Sequence, residues 1–153
     1  GNTAKLLYSG CMPLEMHLEY TVFVATVFRH VDYKNGVLTY RNGFAWPGDE
    51  VVTPTEKQWK DFIAAIERLN VRKWRKRPYE PVGYAVEDGD SWEVRIRFAE
   101  FKVQASGSNA YPDNWKEFCE AVTALLGGRP WAEMEDDDED NEGEEDDSQG
   151  DEL

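Results

Sequence analysis

The sequence predicts an α+β domain: an antiparallel sheet of about five strands with two helices packed on one face, in the order ββαββ(β)α, followed by a disordered acidic tail. Three observations carry this. Two segments place apolar residues at helical spacing behind capping signals. Other segments are rich in β-branched and aromatic residues, or alternate strictly between apolar and charged. Finally, charge is segregated. Residues 133–153 hold fourteen of the 31 Asp/Glu and none of the 17 Lys/Arg. Residues 1–132, the single folded domain, are therefore formally neutral, and the tail carries the whole net charge of −14.

Residues 17–31, HLEYTVFVATVFRHV, read as the first strand. Asn35-Gly36 is a two-residue hairpin signal, because a type I′ turn needs positive φ at both positions. Val37 to Tyr40 is then the returning strand. Thr53-Pro54-Thr55-Glu56 reads as a capping box, with Thr53 as the cap and Pro54 as the first helical residue. Trp59, Phe62, Ile63, Ile66 and Leu69 follow on one helical stripe. Pro78 and Pro81 interrupt the chain. Tyr84-Ala85-Val86 and Asp88-Gly89 then open a second β region. In it Trp92, Val94, Ile96 and Phe98 point one way while Glu93, Arg95 and Arg97 point the other. Phe101, Val103 and Ala105 restart the alternation out of phase, which predicts a bulge near Ala99-Glu100. In the second helix Asn114 and Glu117 form the cap pair, and Trp115, Phe118, Cys119, Val122 and Leu125 form the stripe. Gly127-Gly128 ends it as a left-handed C-cap. The 133–153 segment cannot bury enough apolar surface to offset the entropy of ordering.

Two cysteines, Cys11 and Cys119, make no disulfide framework. No stretch approaches the ~20 apolar residues of a membrane span. Neither a signal peptide nor a complete ER-retention ending is recognisable, so a cytosolic location is expected. The initial Gly without Met leaves a removed leader open.

Catalysis has little to draw on, and no catalytic residue, cofactor or metal site is expected. His17 and His30 are the only bases that titrate near neutrality. Cys11 with His17 is the nearest nucleophile–base pairing and lacks a recognisable local signature. Cys119 lies on an apolar helix stripe, where a buried inert thiol is the rule. No Cys-x-x-Cys or His-Glu-x-x-His occurs. The acidic run that includes Asp136, Asp137 and Asp138 attracts divalent cations diffusely, without the glycine turn of an EF-hand.

Binding has more. Arg72-Lys73-Trp74-Arg75-Lys76-Arg77 sets five cations around one Trp, with Arg68 one turn upstream. That pattern suits a phosphate backbone and a stacked base. It equally suits a helix C-terminus with Trp74 tucked into the core. The loop Gly107-Ser108-Asn109-Ala110-Tyr111-Pro112 precedes a helix N-terminus, where Asn109 and Tyr111 are candidate recognition residues and a structural turn is the plainer reading.

The Trp-x-x-Phe helix, Asp88-Gly89-x-x-Trp92 and Gly-Ser-Asn-Ala-Tyr-Pro before the second helix together resemble small uncharacterised bacterial α+β domains. The resemblance covers roughly residues 55–126. In size, acidity and Trp content the chain is also similar to immunity proteins and phage-encoded inhibitors. The segregation of charge into the tail points to a non-catalytic, inhibitor-type protein that engages a basic protein partner. The alternative is a nucleic-acid-binding accessory protein that uses residues 72–77, with the tail as internal competitor. A hydrolase comes third.

Overall fold

The computed structural model describes residues 12–24, 26–43, 48–81 and 89–132. Six strands form one antiparallel sheet: β1 (Glu15–Val22), β2 (Val27–Lys34), β3 (Val37–Asn42), β4 (Glu50–Val52), β5 (Asp90–Arg97) and β6 (Lys102–Ser108). Their order across the sheet is β4-β3-β2-β1-β5-β6. Helix α1 (Glu56–Arg68) runs into a 3-10 turn, Val71–Lys73, and α2 (Trp115–Leu125) follows β6.

Side-chain parity decides which face is covered. Met16, Leu18 and Tyr20 of β1, Val31 of β2, Leu38 and Tyr40 of β3, and Trp92, Val94 and Ile96 of β5 are all buried on one face. Against them pack Trp59, Phe62 and Ile66 of α1 and Trp115, Phe118, Cys119 and Val122 of α2, the residues that the two helical stripes mark. The other face carries His17, Glu19, His30, Asp32, Glu93 and Arg95. Among the described residues no helix covers it.

The strand count differs from expectation for three local reasons. Residues 17–31 are not one strand. The chain reverses between Val22 and Val27, where Thr26 takes φ 51° and its N–H donates to the Phe23 carbonyl at 3.1 Å. Nothing there resembles a Gly or Asn turn, so composition hides the reversal. Glu50–Val52 adds an edge strand beside β3, too short to show a period of two. The predicted bulge is a turn, in which the Phe98 N–H donates to the Phe101 carbonyl at 2.8 Å and Arg97 pairs with Lys102. Four intervening residues account for the change of phase. The strand expected at Tyr84–Val86 lies outside the described residues.

Caps also moved. Thr55, not Thr53, caps α1: its Oγ1 accepts from the Gln58 N–H at 3.1 Å, and the Gln58 side chain accepts from the Thr55 N–H at 2.7 Å. Both threonines stand three residues before a Glu or Gln. The later frame leaves Pro54 outside the helix and puts Glu56 in its first turn, where the dipole favours an acid. Asn114 starts α2 without a side-chain cap. Its amide instead accepts from Trp74 Nε1 at 3.0 Å and donates to the Leu69 carbonyl at 2.7 Å, tying the end of α1 to the start of α2. Asn35 and Gly36 do form the β2–β3 turn, at φ 53° and 78°. The C-cap of α2 is a Schellman motif, with Gly128 N–H donating to Thr123 and Gly127 N–H to Ala124.

Candidate functional site

The basic segment is a rigid knuckle. After Arg68 the chain turns at Asn70, φ 55°, and Val71 and Trp74 drop into the core. Trp74 packs against Phe118, Trp92 and Trp115, with ring centroids 5.0, 6.0 and 6.2 Å away. It is an anchor and does not offer a face for a stacked base. Anchoring has a consequence for its neighbours: Arg72, Lys73, Arg75, Lys76 and Arg77 are all exposed, as is Arg68. The Arg72 guanidinium lies over Phe101 at 5.0 Å, and that of Arg75 over Tyr79 at 4.3 Å. Arg75 also donates to the carbonyls of Arg77 and Pro78 at 3.2 and 2.9 Å. Tyr79 is bonded in turn to β6 through Ser106 and Ser108. Among the described residues none of these six cations forms an ion pair with a carboxylate. What results is a concentration of positive charge on a fixed backbone, suited to contacts with several phosphates or carboxylates at once.

The Gly107–Pro112 loop serves the fold. Asn109 and Tyr111 are half-buried and turned toward Asp90. The Asp90 N–H donates to Asn109 Oδ1 at 3.0 Å, and the Tyr111 hydroxyl donates to the Asp90 carboxylate. Burial first, and then the Asp90 hydrogen bond and charge, push the Tyr111 phenol well above its ordinary value. Its ring stacks on Trp92. Gly107 is required by close approach, since a Cβ there would lie 2.7 Å from both the Ala110 carbonyl and Trp92 Cε2. Asp136, Asp137, Asp138 and Cys11 lie outside the described residues, so the acidic candidate and the Cys11–His17 pairing have no geometry here.

A second polar constellation escapes a reading of the sequence. On the uncovered face, β1 lies between β2 and β5, so His17 sits beside Asp32 and Arg95, and Glu19 beside His30 and Glu93. His17 Nδ1 is 2.7 Å from Asp32 Oδ1 and its Nε2 is 3.0 Å from Glu19 Oε2, while His30 Nδ1 is 3.6 Å from the same Glu19 oxygen. Burial opposes protonation of His17, but the Asp32 and Glu19 hydrogen bonds and charges outweigh it, so its pKa is raised. The only signal in the sequence was parity within each strand: positions 17 and 19, and positions 30 and 32. The register that unites them is tertiary.

No helix among the described residues is long and apolar enough to cross a membrane. No protein-family model matches the chain, and no curated protein matches it either.

Proposed function

We propose that this is a non-catalytic cytosolic binding protein whose knuckle, Arg68 with Arg72–Arg77, docks on the phosphate backbone of a nucleic acid, with the acidic 133–153 segment as an internal competitor. The observation that supports this reading is the set of exposed cations, held on an anchored backbone without carboxylate partners among the described residues. Because Trp74 is buried, recognition rests on phosphates and is indifferent to base sequence. The helix dipole favours cations at the end of α1, but its influence fades within about a turn and does not reach Lys76 or Arg77.

A second reading is favoured by the tail. Fourteen acids in 21 residues, in a chain whose body is formally neutral, also suit capture of an external basic protein, as an immunity-type inhibitor would do.

One binding assay separates the two. A labelled duplex oligonucleotide is titrated at 50 and 200 mM salt with the full chain, a chain ending at Ala132, and a variant with Arg72, Lys73, Arg75, Lys76 and Arg77 changed to Gln. Five phosphate contacts imply a log–log salt slope of about −4.5, so the fourfold rise in salt should weaken binding roughly 500-fold. Truncation should tighten binding and the Gln variant should lose it. Duplex binding that is indifferent to the Gln variant would overturn the nucleic-acid reading. A basic protein held by the full chain and released on truncation would establish the second.

A further inference from the structure

We infer that the uncovered sheet face holds a site for a first-row divalent transition ion such as Zn²⁺, with His17, Glu19 and Glu93 as ligands. Ligand atoms of His17, Glu19 and Glu93 all lie within 4.8 Å of one another. Donors about 2.1 Å from a tetrahedral ion sit about 3.4 Å apart. The separation of 3.0 Å from His17 Nε2 to Glu19 Oε2 is close to that value.

Two features point to a cation beyond mere proximity. Glu19 and Glu93 are direct cross-strand neighbours at the centre of the sheet, an arrangement of like charges that is destabilising by itself. Arg95 Nε, 3.1 Å from Glu93 Oε2, relieves only one side of it. Furthermore, the Asp32 carboxylate accepts a hydrogen bond from His17 Nδ1 at 2.7 Å, which turns Nε2 toward Glu19. A carboxylate behind the far nitrogen of an imidazole is the arrangement that orients a metal-binding histidine and raises its basicity, so Asp32 is a positioning residue.

The donor set selects the ion. Imidazole with carboxylate is borderline in softness and suits Zn²⁺, Fe²⁺ or Co²⁺ rather than Mg²⁺ or Ca²⁺, and two carboxylates neutralise the dication. Of the neighbouring cations, Arg41 is turned to Asp49 at 2.8 Å and Arg95 to Glu93. With three protein ligands from β1 and β5 the site joins two neighbouring strands and leaves one position for water.

Co²⁺ is the probe, because tetrahedral coordination gives visible bands far more intense, and at longer wavelength, than octahedral carboxylate binding in the tail. The metal-stripped full chain is titrated with Co²⁺ in millimolar Mg²⁺, which occupies the acidic tail. The expected result is visible bands that saturate at one equivalent and are bleached by Zn²⁺. Loss of the bands in His17→Ala should accompany unchanged far-ultraviolet circular dichroism. Asp32→Asn should lower Co²⁺ affinity about 10–100-fold. Zn²⁺ should also raise the urea midpoint of the parent chain but not of His17→Ala, since only a native-state site stabilises by mass action. Absence of visible bands, or bands that persist unchanged in His17→Ala, would overturn the site.

Discussion

Trp131→Ala should destabilise the protein by about 3–5 kcal/mol, as truncation of a fully buried aromatic does. Trp131 lies six residues beyond α2 and next to the last described residue, yet it has no solvent exposure. Its ring packs on Trp115, Phe118 and Tyr20, with centroids 5.5, 5.9 and 6.3 Å away. The strap that delivers it is tied down at three places. The Tyr40 hydroxyl donates to the Pro130 carbonyl at 2.5 Å, Arg29 donates to the Trp131 carbonyl at 3.4 Å, and Arg129 pairs with Glu50 at 2.6 Å. Among the described residues Trp131 Nε1 is buried without a partner, which costs part of what the ring contributes. Trp131→Phe, which sheds that N–H and keeps much of the volume, should therefore cost clearly less than Trp131→Ala. Denaturant unfolding of both variants, beside a chain ending at Ala132, gives the test. That truncated chain should retain stability to within about 1 kcal/mol, as changes away from packed features do. If Trp131→Ala loses less than about 1 kcal/mol, the strap is not part of the core.

Alkaline pH should destabilise the protein through Cys119. The thiol has no solvent exposure, and burial, followed by the charge of Glu120, pushes it far above its ordinary value near 9.0. The sign follows from which state gives up its proton first. In the unfolded chain the thiol ionises near its ordinary value, while in the folded chain it stays neutral. Stability from this group is thus complete below about pH 9 and is lost as pH rises further. Each unit above that point removes about 1.4 kcal/mol, nearly 3 kcal/mol by pH 11. Tyr111, whose phenol is also raised, acts in the same direction from about pH 10, with a smaller effect because part of it meets solvent. Unfolding curves between pH 8 and 11 for the parent and Cys119→Ala test this. Cys119→Ala starts lower, having lost packing, but its stability should fall less steeply with pH. Parallel slopes would show that the thiol ionises in the native state. Held neutral and buried, native Cys119 should also react with a thiol reagent slowly relative to denatured protein, since attack needs an exposed thiolate.

Local elements and inward faces are legible in the amino-acid order alone. The stripes through Trp59, Phe62 and Ile66 and through Trp115, Phe118 and Val122 are buried as their spacing requires, because a helix exposes one side or the other every 3.6 residues whatever it packs on. The same holds for Trp92, Val94 and Ile96, where the period is two, and for the Asn35-Gly36 turn, where the backbone demands positive φ. Strand ends were less legible. The reversal at Phe23–Thr26 uses no turn-forming residue, and the two overlapping Thr-x-x-Glu/Gln frames, from Thr53 and from Thr55, carry the same local signal. Trp131 was invisible, since a lone Trp after a helix carries no periodicity. Its burial depends on where the sheet places Tyr20, Arg29 and Tyr40. Trp74 shows the division most clearly. The sequence gathers five cations around an aromatic but does not say whether the ring faces water, and the answer came from a pocket made by Trp92, Trp115 and Phe118 on other elements. His17, Glu19, His30, Asp32 and Glu93 likewise come from three strands. Which of them touch is fixed by strand order and register, and these are set by long-range packing that no local pattern encodes.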